Sequence, residues 1–304
     1  MMENAPRRTW QQNWAPLLFL LDGIVEYSGS GLGVTLYDRV PVLGVAWGRF
    51  TISAIILFAF RAPRIVAMLR EYSWKLLGLT AAFGLSLGAM NISFYEALAR
   101  IPMGSAVALE YIGPVIMAVI AGKGWRVRVA ILLALVGVFS ISWGGVDIAK
   151  AGVPAGMGFA VLAGTWWIVY MVLGRKVAVT GHGIDHLTLG LMIAAVCYSP
   201  LGAPAIPHMV AGWDIIGSIV IVALSSSVFP FVLQLIIMRG LTAPLFALYA
   251  SLLPATSMIA GFFVLGHIPT IGEALGLLLV CSAVAITSFP HKEKDDEKAS
   301  PQES

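Results

Sequence analysis

Charge is scarce in this chain, and so is cysteine. Of 304 residues only 19 are basic and 16 acidic, 12% in all, about half the share carried by soluble domains. With 59% hydrophobic residues and a mean hydropathy of +0.88, the chain holds more apolar surface than a water-facing fold can hide. Most of it is therefore expected to be solvated by lipid. Cys197 and Cys281 both lie in apolar runs, with none of the spacing of a disulfide framework or a thiolate metal site, and read as small buried hydrophobes. HExxH, Walker and nucleophile-elbow patterns are missing as well. Proteolysis and ATP-driven transport find no support, and no enzyme activity, metal or cofactor is expected. A net charge of +3 calls for no nucleic-acid partner.

What the chain has instead is long hydrophobic runs. A bilayer core takes about 20 apolar residues per helix. Runs bounded by charge, Pro and Gly predict ten spans: 14–36, 41–60, 76–99, 103–122, 127–145, 154–174, 186–202, 213–238, 242–266 and 271–289. The fold class expected is an all-α membrane protein. The apolar run from Trp14 is too long for a signal-peptide core and reads as a retained first span. Residues 1–13 form a cytoplasmic N-terminus and the charged tail 290–304 is expected to be disordered and cytoplasmic.

Basic residues set the orientation. With both termini cytoplasmic, fifteen of the nineteen fall in cytoplasmic segments and three, Arg39, Arg100 and Lys150, in outer loops. The remaining one, Arg49, lies inside a span. That bias fits an even number of spans.

The spans divide into five and five, 14–145 and 154–289. RIPMGSAVALEYIGPVIMAVIAG from Arg100 and RGLTAPLFALYASLLPATSMIAG from Arg239 align Arg with Arg, Ala-Leu with Ala-Leu, Pro114 with Pro254 and Ile-Ala-Gly with Ile-Ala-Gly. An odd number of spans per half inverts the second half. Inverted repeats are a construction of secondary transporters, whose sites lie between the halves near mid-membrane.

Four ionisable residues lie deep within spans: Asp22, Glu26, Arg49 and Glu110. Each costs about 2.5–3.5 kcal/mol at a lipid-facing helix centre, so all four are expected to face a protein interior or a water-filled cavity. From the helical rise, Arg49 and Glu110 lie roughly 12 Å, and Glu26 roughly 15 Å, below the outer surface. Asp22 is one turn further in on the face of Glu26. Arg49 suits a substrate carboxylate, while Glu110 or Glu26 suits an amino group or a proton. A structural Arg–Glu pair explains the same residues. Glu96 and Arg100, four apart at an outer helix end, read as a surface pair. Trp166, Trp167 and Tyr170 lie mid-span, where they either line a pocket or pack the core. Asn91 and Tyr95 share a face of the third span, and Ser225–Ser227 with Pro230 mark a polar, kinkable stretch of the eighth. Gly29–Gly33, Gly84–Gly88 and Gly272–Gly276 have the spacing of close helix packing, and residues 28–33 are also candidates for loosening the first helix. His182, Asp185 and His186 share one loop, where no metal site is expected.

The block GAMNISFYEALARIPMGSAVALEYIGPVIMAVIAG (88–122) resembles the EamA-type half of the drug/metabolite transporter superfamily, above all its threonine/homoserine exporter branch. Matching features are Gly88-Ala-Met-Asn91 with Phe94-Tyr95, Ala106-Val-Ala-Leu-Glu110-Tyr with Gly113-Pro114, Arg49, Trp167 with Tyr170, and Ser226/Ser227 with Pro230. The resemblance implies a ten-helix inner-membrane carrier exporting amino acids or related metabolites, driven by proton exchange. The chain departs from the pattern at Leu253, where an acid is common before Pro254, at His267 in place of Glu after Leu265-Gly266, and in carrying Asp22 and Glu26.

Residues and resemblance together point to a proton-coupled exporter of small amino acids. Arg49, Asn91, Tyr95, Glu110, Trp167 and Tyr170 are the candidate substrate-binding residues, and Glu110, Glu26 and Asp22 the candidate proton-coupling acids. The partners expected are an amino-acid substrate, protons and the bilayer, with the chain a monomer or homodimer. The alternatives are export of aromatic amino acids or other small metabolites, and a membrane sensor or assembly subunit that moves nothing.

Overall fold

The structure is a computed structural model and describes residues 10–70, 73–113, 125–144, 148–180, 182–241, 246, 249–250 and 252–288. Every regular element among the described residues is helical. The principal helices are α1 (Trp10–Val34), α2 (Val42–Arg70), α3 (Trp74–Leu98), α4 (Met103–Glu110), α5 (Trp125–Gly144), α6 (Val153–Ala178) and α7 (Gly183–Cys197). After them come α8 (Trp213–Ala223), a π-turn at Leu224–Val228, α9 (Phe229–Gly240), α10 (Leu253–Leu265) and α11 (Ile271–Ser288). Among the described residues, five stretches are long and apolar enough to cross a bilayer: Trp14–Val34, Val42–Arg70, Trp74–Leu98, Val153–Ala178 and Trp213–Gly240. A sixth, Gly183–Cys197 continued by Ser199–Met209, is bent by 56°.

The outer surface is apolar, as lipid solvation requires. Ile55, Phe60, Leu132, Leu135, Phe263 and Leu278 are all exposed, and Trp74, Trp125 and Trp213 stand exposed at the first residues of their helices. Trp at helix ends is the pattern of a membrane–water interface. Polar side chains turn inward, so the molecule is a multi-pass membrane protein.

Local chemistry sets the helix boundaries. Ser73 caps α3, its side chain accepting from the Lys75 amide at 3.3 Å. Gly152, at φ +90°, opens α6, with Pro154 in the first turn. Gly266, at φ +65°, closes α10: its N–H bonds the Phe262 carbonyl at 3.1 Å, and the His267 N–H bonds that of Gly261 at 3.2 Å. This paired closure needs a left-handed residue, which glycine supplies without strain.

Several boundaries move from those read in the sequence. The second stretch does not stop at residue 60: α2 runs on to Arg70 and carries Arg61 and Arg64 on its extension, since long basic side chains reach water from a continuing helix. The seventh breaks at Tyr198, just before Pro200, and turns into short helical pieces. Residues 28–33 do not loosen α1, which is helical through Val34. The second half of 103–122, with Pro114, and much of 242–252 lie outside the described residues, as do residues 1–9 and the tail from 289.

Two glycine contacts bring helices to backbone distance. A Cβ at Gly84 on α3 would lie 2.0 Å from the Gly190 carbonyl oxygen of α7, and one at Gly164 on α6 would lie 2.1 Å from that of Glu110. The second contact presses α4 against α6 at the level of the buried acid.

Candidate functional site

Arg49 is the centre of the site. It sits on α2 with 2% of its surface exposed. Its Nη1 donates to Tyr95 Oη at 3.2 Å, Ser226 Oγ at 3.1 Å and, at the limit of reach, Ser30 Oγ at 3.4 Å. The guanidinium carbon lies 4.8 Å from the centre of the Tyr95 ring, a cation–π distance. All these partners are neutral, and Nε is buried without a partner among the described residues. Arginine can bind carboxylates through a planar fork of parallel N–H groups, and the Nε of Arg49 has no acceptor among the described residues.

Two acids feel this cation without pairing to it. Glu26 on α1 and Glu110 on α4 both interact electrostatically with Arg49 and with each other. No ion pair joins either of them to Arg49 among the described residues. The three groups placed in one layer from the sequence are thus brought together, but the locked Arg–Glu pair is not what the structure shows. Glu110 is buried, at 6% exposure, and the Tyr111 ring beside it lies 5.0 Å from that of Trp167. A hydrogen bond links the hydroxyls of Tyr111 and Tyr27.

The serine that reaches Arg49 is positioned by the π-turn. Ser226 Oγ donates to the Val222 carbonyl at 2.7 Å while accepting from Arg49. Ser53, one turn beyond Arg49, donates to the Arg49 carbonyl at 2.7 Å and the Ala223 carbonyl at 3.1 Å, tying α2 to the residue before that turn. A widened turn inside an α-helix often marks a functional site. Gly33 makes room for the Tyr95 hydroxyl, since a Cβ there would approach it to 2.9 Å.

Asn91 is buried one turn from Tyr95. Its amide donates to the Leu87 carbonyl at 2.7 Å, and its Oδ1 has no partner among the described residues. Asp22 is fully buried and is held, with Glu26, by a residue the sequence reading passed over. Gln234 Nε2 donates to Asp22 Oδ2 at 2.9 Å and to Glu26 Oε2 at 3.3 Å, and Gln234 Oε1 accepts from the Tyr170 hydroxyl at 3.3 Å. Its signal was a single amide inside the apolar run Phe229–Met238. Tyr170 also stacks on Phe83, ring centres 5.4 Å apart.

Two further polar clusters lie away from this layer. Asp185, buried on α7, accepts from Arg61 Nε at 2.8 Å and lies 3.5 Å from His182 Nδ1, while His186 bonds Thr80 at 2.8 Å. No group of metal-ligating side chains occurs among the described residues. Glu273, unremarked in the sequence, is buried at the start of α11 and accepts from Ser105 Oγ at 2.8 Å, the Thr270 amide at 2.9 Å and His267 Nε2 at 3.1 Å. Thr270 and Glu273 cap α11 reciprocally. Glu96 and Arg100 form their surface ion pair.

A lipid-solvated helical fold around a buried, uncompensated cation and nearby acids has the build of a membrane transporter, and the chain belongs to the EamA-like transporter family. The family matches residues 154–289. The chain is 30% identical to the threonine/homoserine exporter RhtA of Salmonella typhimurium (strain LT2), covering 90% of each protein. It is 29% identical to RhtA of Escherichia coli (strain K12), covering 92% of this chain and 94% of that one. A solved crystal structure with 19% identity matches the fold at a TM-score of 0.59, covering 90% of this chain and 96% of the other. The protein is therefore a membrane transporter, not an enzyme.

Proposed function

We propose that this protein exports small amino acids of the threonine/homoserine type across the inner membrane in exchange for protons. The observation that carries this reading is Arg49: a buried guanidinium held by three hydroxyls through one nitrogen, with its Nε edge unfilled. Burying an unpaired charge is costly, and an α-carboxylate is the group that completes it. Glu110 and Glu26 stand where a substrate ammonium or a proton balances the rest of the charge. Asn91 Oδ1 offers a free acceptor to a substrate donor. Trp167 and Tyr170 close the site from α6. Their rings are already packed against Tyr111 and Phe83, which favours a small substrate over an aromatic one.

The chain works in this reading as ten spans in two inverted halves, 14–145 and 154–289, with both termini cytoplasmic, and the halves rock about the Arg49 layer. Asp22, Glu26 and Glu110 carry the protons, and no metal or cofactor takes part. The name of the relatives and the basic-residue bias support substrate class and orientation respectively.

The test is flux in proteoliposomes. Wild-type protein should move threonine or homoserine when a pH gradient is imposed. Arg49→Lys, which keeps charge but loses the fork, should lower apparent affinity about 100-fold, from the worth of a charge-assisted bidentate pair. Glu110→Gln should abolish gradient-driven flux while the protein remains folded. Wild-type protein that moves neither amino acid, or Arg49→Lys with unchanged affinity, overturns the reading.

A further inference from the structure

Gln234 uses its whole side chain in a way a filler residue does not. Two N–H groups go to two carboxylates on α1, and the carbonyl takes a phenol on α6. Asp22 beside it is 0% exposed, with Oδ1 unpartnered among the described residues. Two acids sharing one NH2 group in a buried site titrate as a coupled pair, in two steps that belong to the pair and not to either residue alone.

A primary amide has donors on one side and an acceptor on the other. An ionised carboxylate only accepts, so the NH2 group faces Asp22 and Glu26 while they are charged, and the carbonyl receives the Tyr170 hydroxyl. Once both acids carry protons, each has an O–H to donate. The amide can then turn over, its carbonyl accepting from a carboxyl O–H and its NH2 donating to the Tyr170 oxygen. The two arrangements exclude one another, and no covalent bond is made or broken beyond uptake of the protons.

We propose that Gln234 is a positioning residue that converts proton loading of the Asp22–Glu26 pair into a reversal of the hydrogen bond at Tyr170, linking α1 to α6 and α9. It rests on the proton-coupled reading above and names the device within that site. The titratable and charged groups around it are Asp22, Glu26 and Tyr27 on α1, Arg49 on α2, Glu110 and Tyr111 on α4, and Tyr170 on α6. On α7, Asp185 and His186 are engaged with Arg61 and Thr80, and on α8 Asp214 pairs with Arg39. Neither the π-turn nor α10 carries a titratable side chain.

Infrared difference titration of the full-length protein in lipid nanodiscs tests this without any substrate. The carboxyl band of the pair is assigned by its loss in Asp22→Asn. In Gln234→Leu the band should appear at about ten-fold lower proton concentration, about one pH unit higher, because the charged acids lose both donors. Gln234→Met, similar in size and without an N–H donor or a charge, serves if the leucine variant does not fold, and should move the band the same way. Tyr170→Phe touches neither carboxylate, yet should move it in that direction by about three-fold in proton concentration, because the phenol, a better donor than acceptor, holds the NH2 toward the charged acids more firmly than it holds the reversed amide. A band that stays in place in the Gln234 variants overturns the proposal. So does one that stays in Tyr170→Phe, which reduces Gln234 to a local donor. Failure of the wild type to move threonine or homoserine, with these shifts present, counts against the substrate reading alone.

Discussion

At the scale of the residue, the site is a problem of unequal hydrogen bonding. Arg49 spends one nitrogen on Tyr95, Ser226 and Ser30 and leaves Nε unused. Tyr95 serves it twice, as an acceptor and as a ring face. Tyr95→Phe keeps the face and removes the acceptor, so the guanidinium loses aim but not its place. The apparent KM for substrate should rise about 5-fold, the worth of one modest hydrogen bond, with kcat nearly unchanged, as read from initial rates in proteoliposomes. Arg49, Glu26 and Glu110 were legible in the sequence because a charge in lipid is an anomaly with few explanations. Gln234, Ser30 and Tyr111 were not, because uncharged polar residues are ordinary inside spans and only their neighbours reveal what they hold.

At the scale of the element, glycine decides how near the helices come. Gly84 meets the Gly190 carbonyl so closely that a Cβ would sit 2.0 Å away, whereas a Cβ at Gly158 meets nothing within 4 Å. Gly84→Ala should therefore force α3 and α7 apart at a cost of about 1–3 kcal/mol, seen as a lower Tm in detergent. Gly158→Ala should leave Tm unchanged or slightly raised, since alanine favours the helix. Apolar runs predicted where most helices lie, and the Gly84–Gly88 spacing predicted close packing, which both residues make on α7 and Tyr198. The bend at Tyr198 and the extension of α2 escaped notice because hydropathy does not record where a helix turns or how far it continues past a basic residue.

At the scale of the whole molecule, the surface is what a soluble protein would bury, and the interior holds what it would expose. The Arg39–Asp214 pair is an exception, an exposed bridge between the α1–α2 turn and α8. Exposed pairs contribute little, so Asp214→Asn should leave Tm within about a degree of wild type. The proposed orientation, with both termini cytoplasmic, rests on the placement of the basic residues. In a cysteine-free background, Asp38→Cys should react with an impermeant maleimide added outside intact cells. Ser300→Cys should react only after the membrane is opened. The reverse pattern would overturn that orientation. Composition made the membrane legible at once, because charge content is a sum over the chain. How α1, α4 and α9 meet around one layer is a matter of long-range packing, which no single run of residues encodes.

The π-turn at Leu224–Val228 has a genetic consequence. A helix acquires such a turn through one residue too many, and each residue of an α-helix carries the chain about 100° around its axis. Removing Ser225 would relax the segment into regular helix, and because the wide turn had absorbed that one residue, the helix beyond it would keep its facing. Gln234 would stay within reach of Asp22, while Ser226, no longer on a widened turn, would lose its aim at Arg49. A deletion of one small serine thus loosens the Arg49 contact while leaving the Gln234 contacts in place.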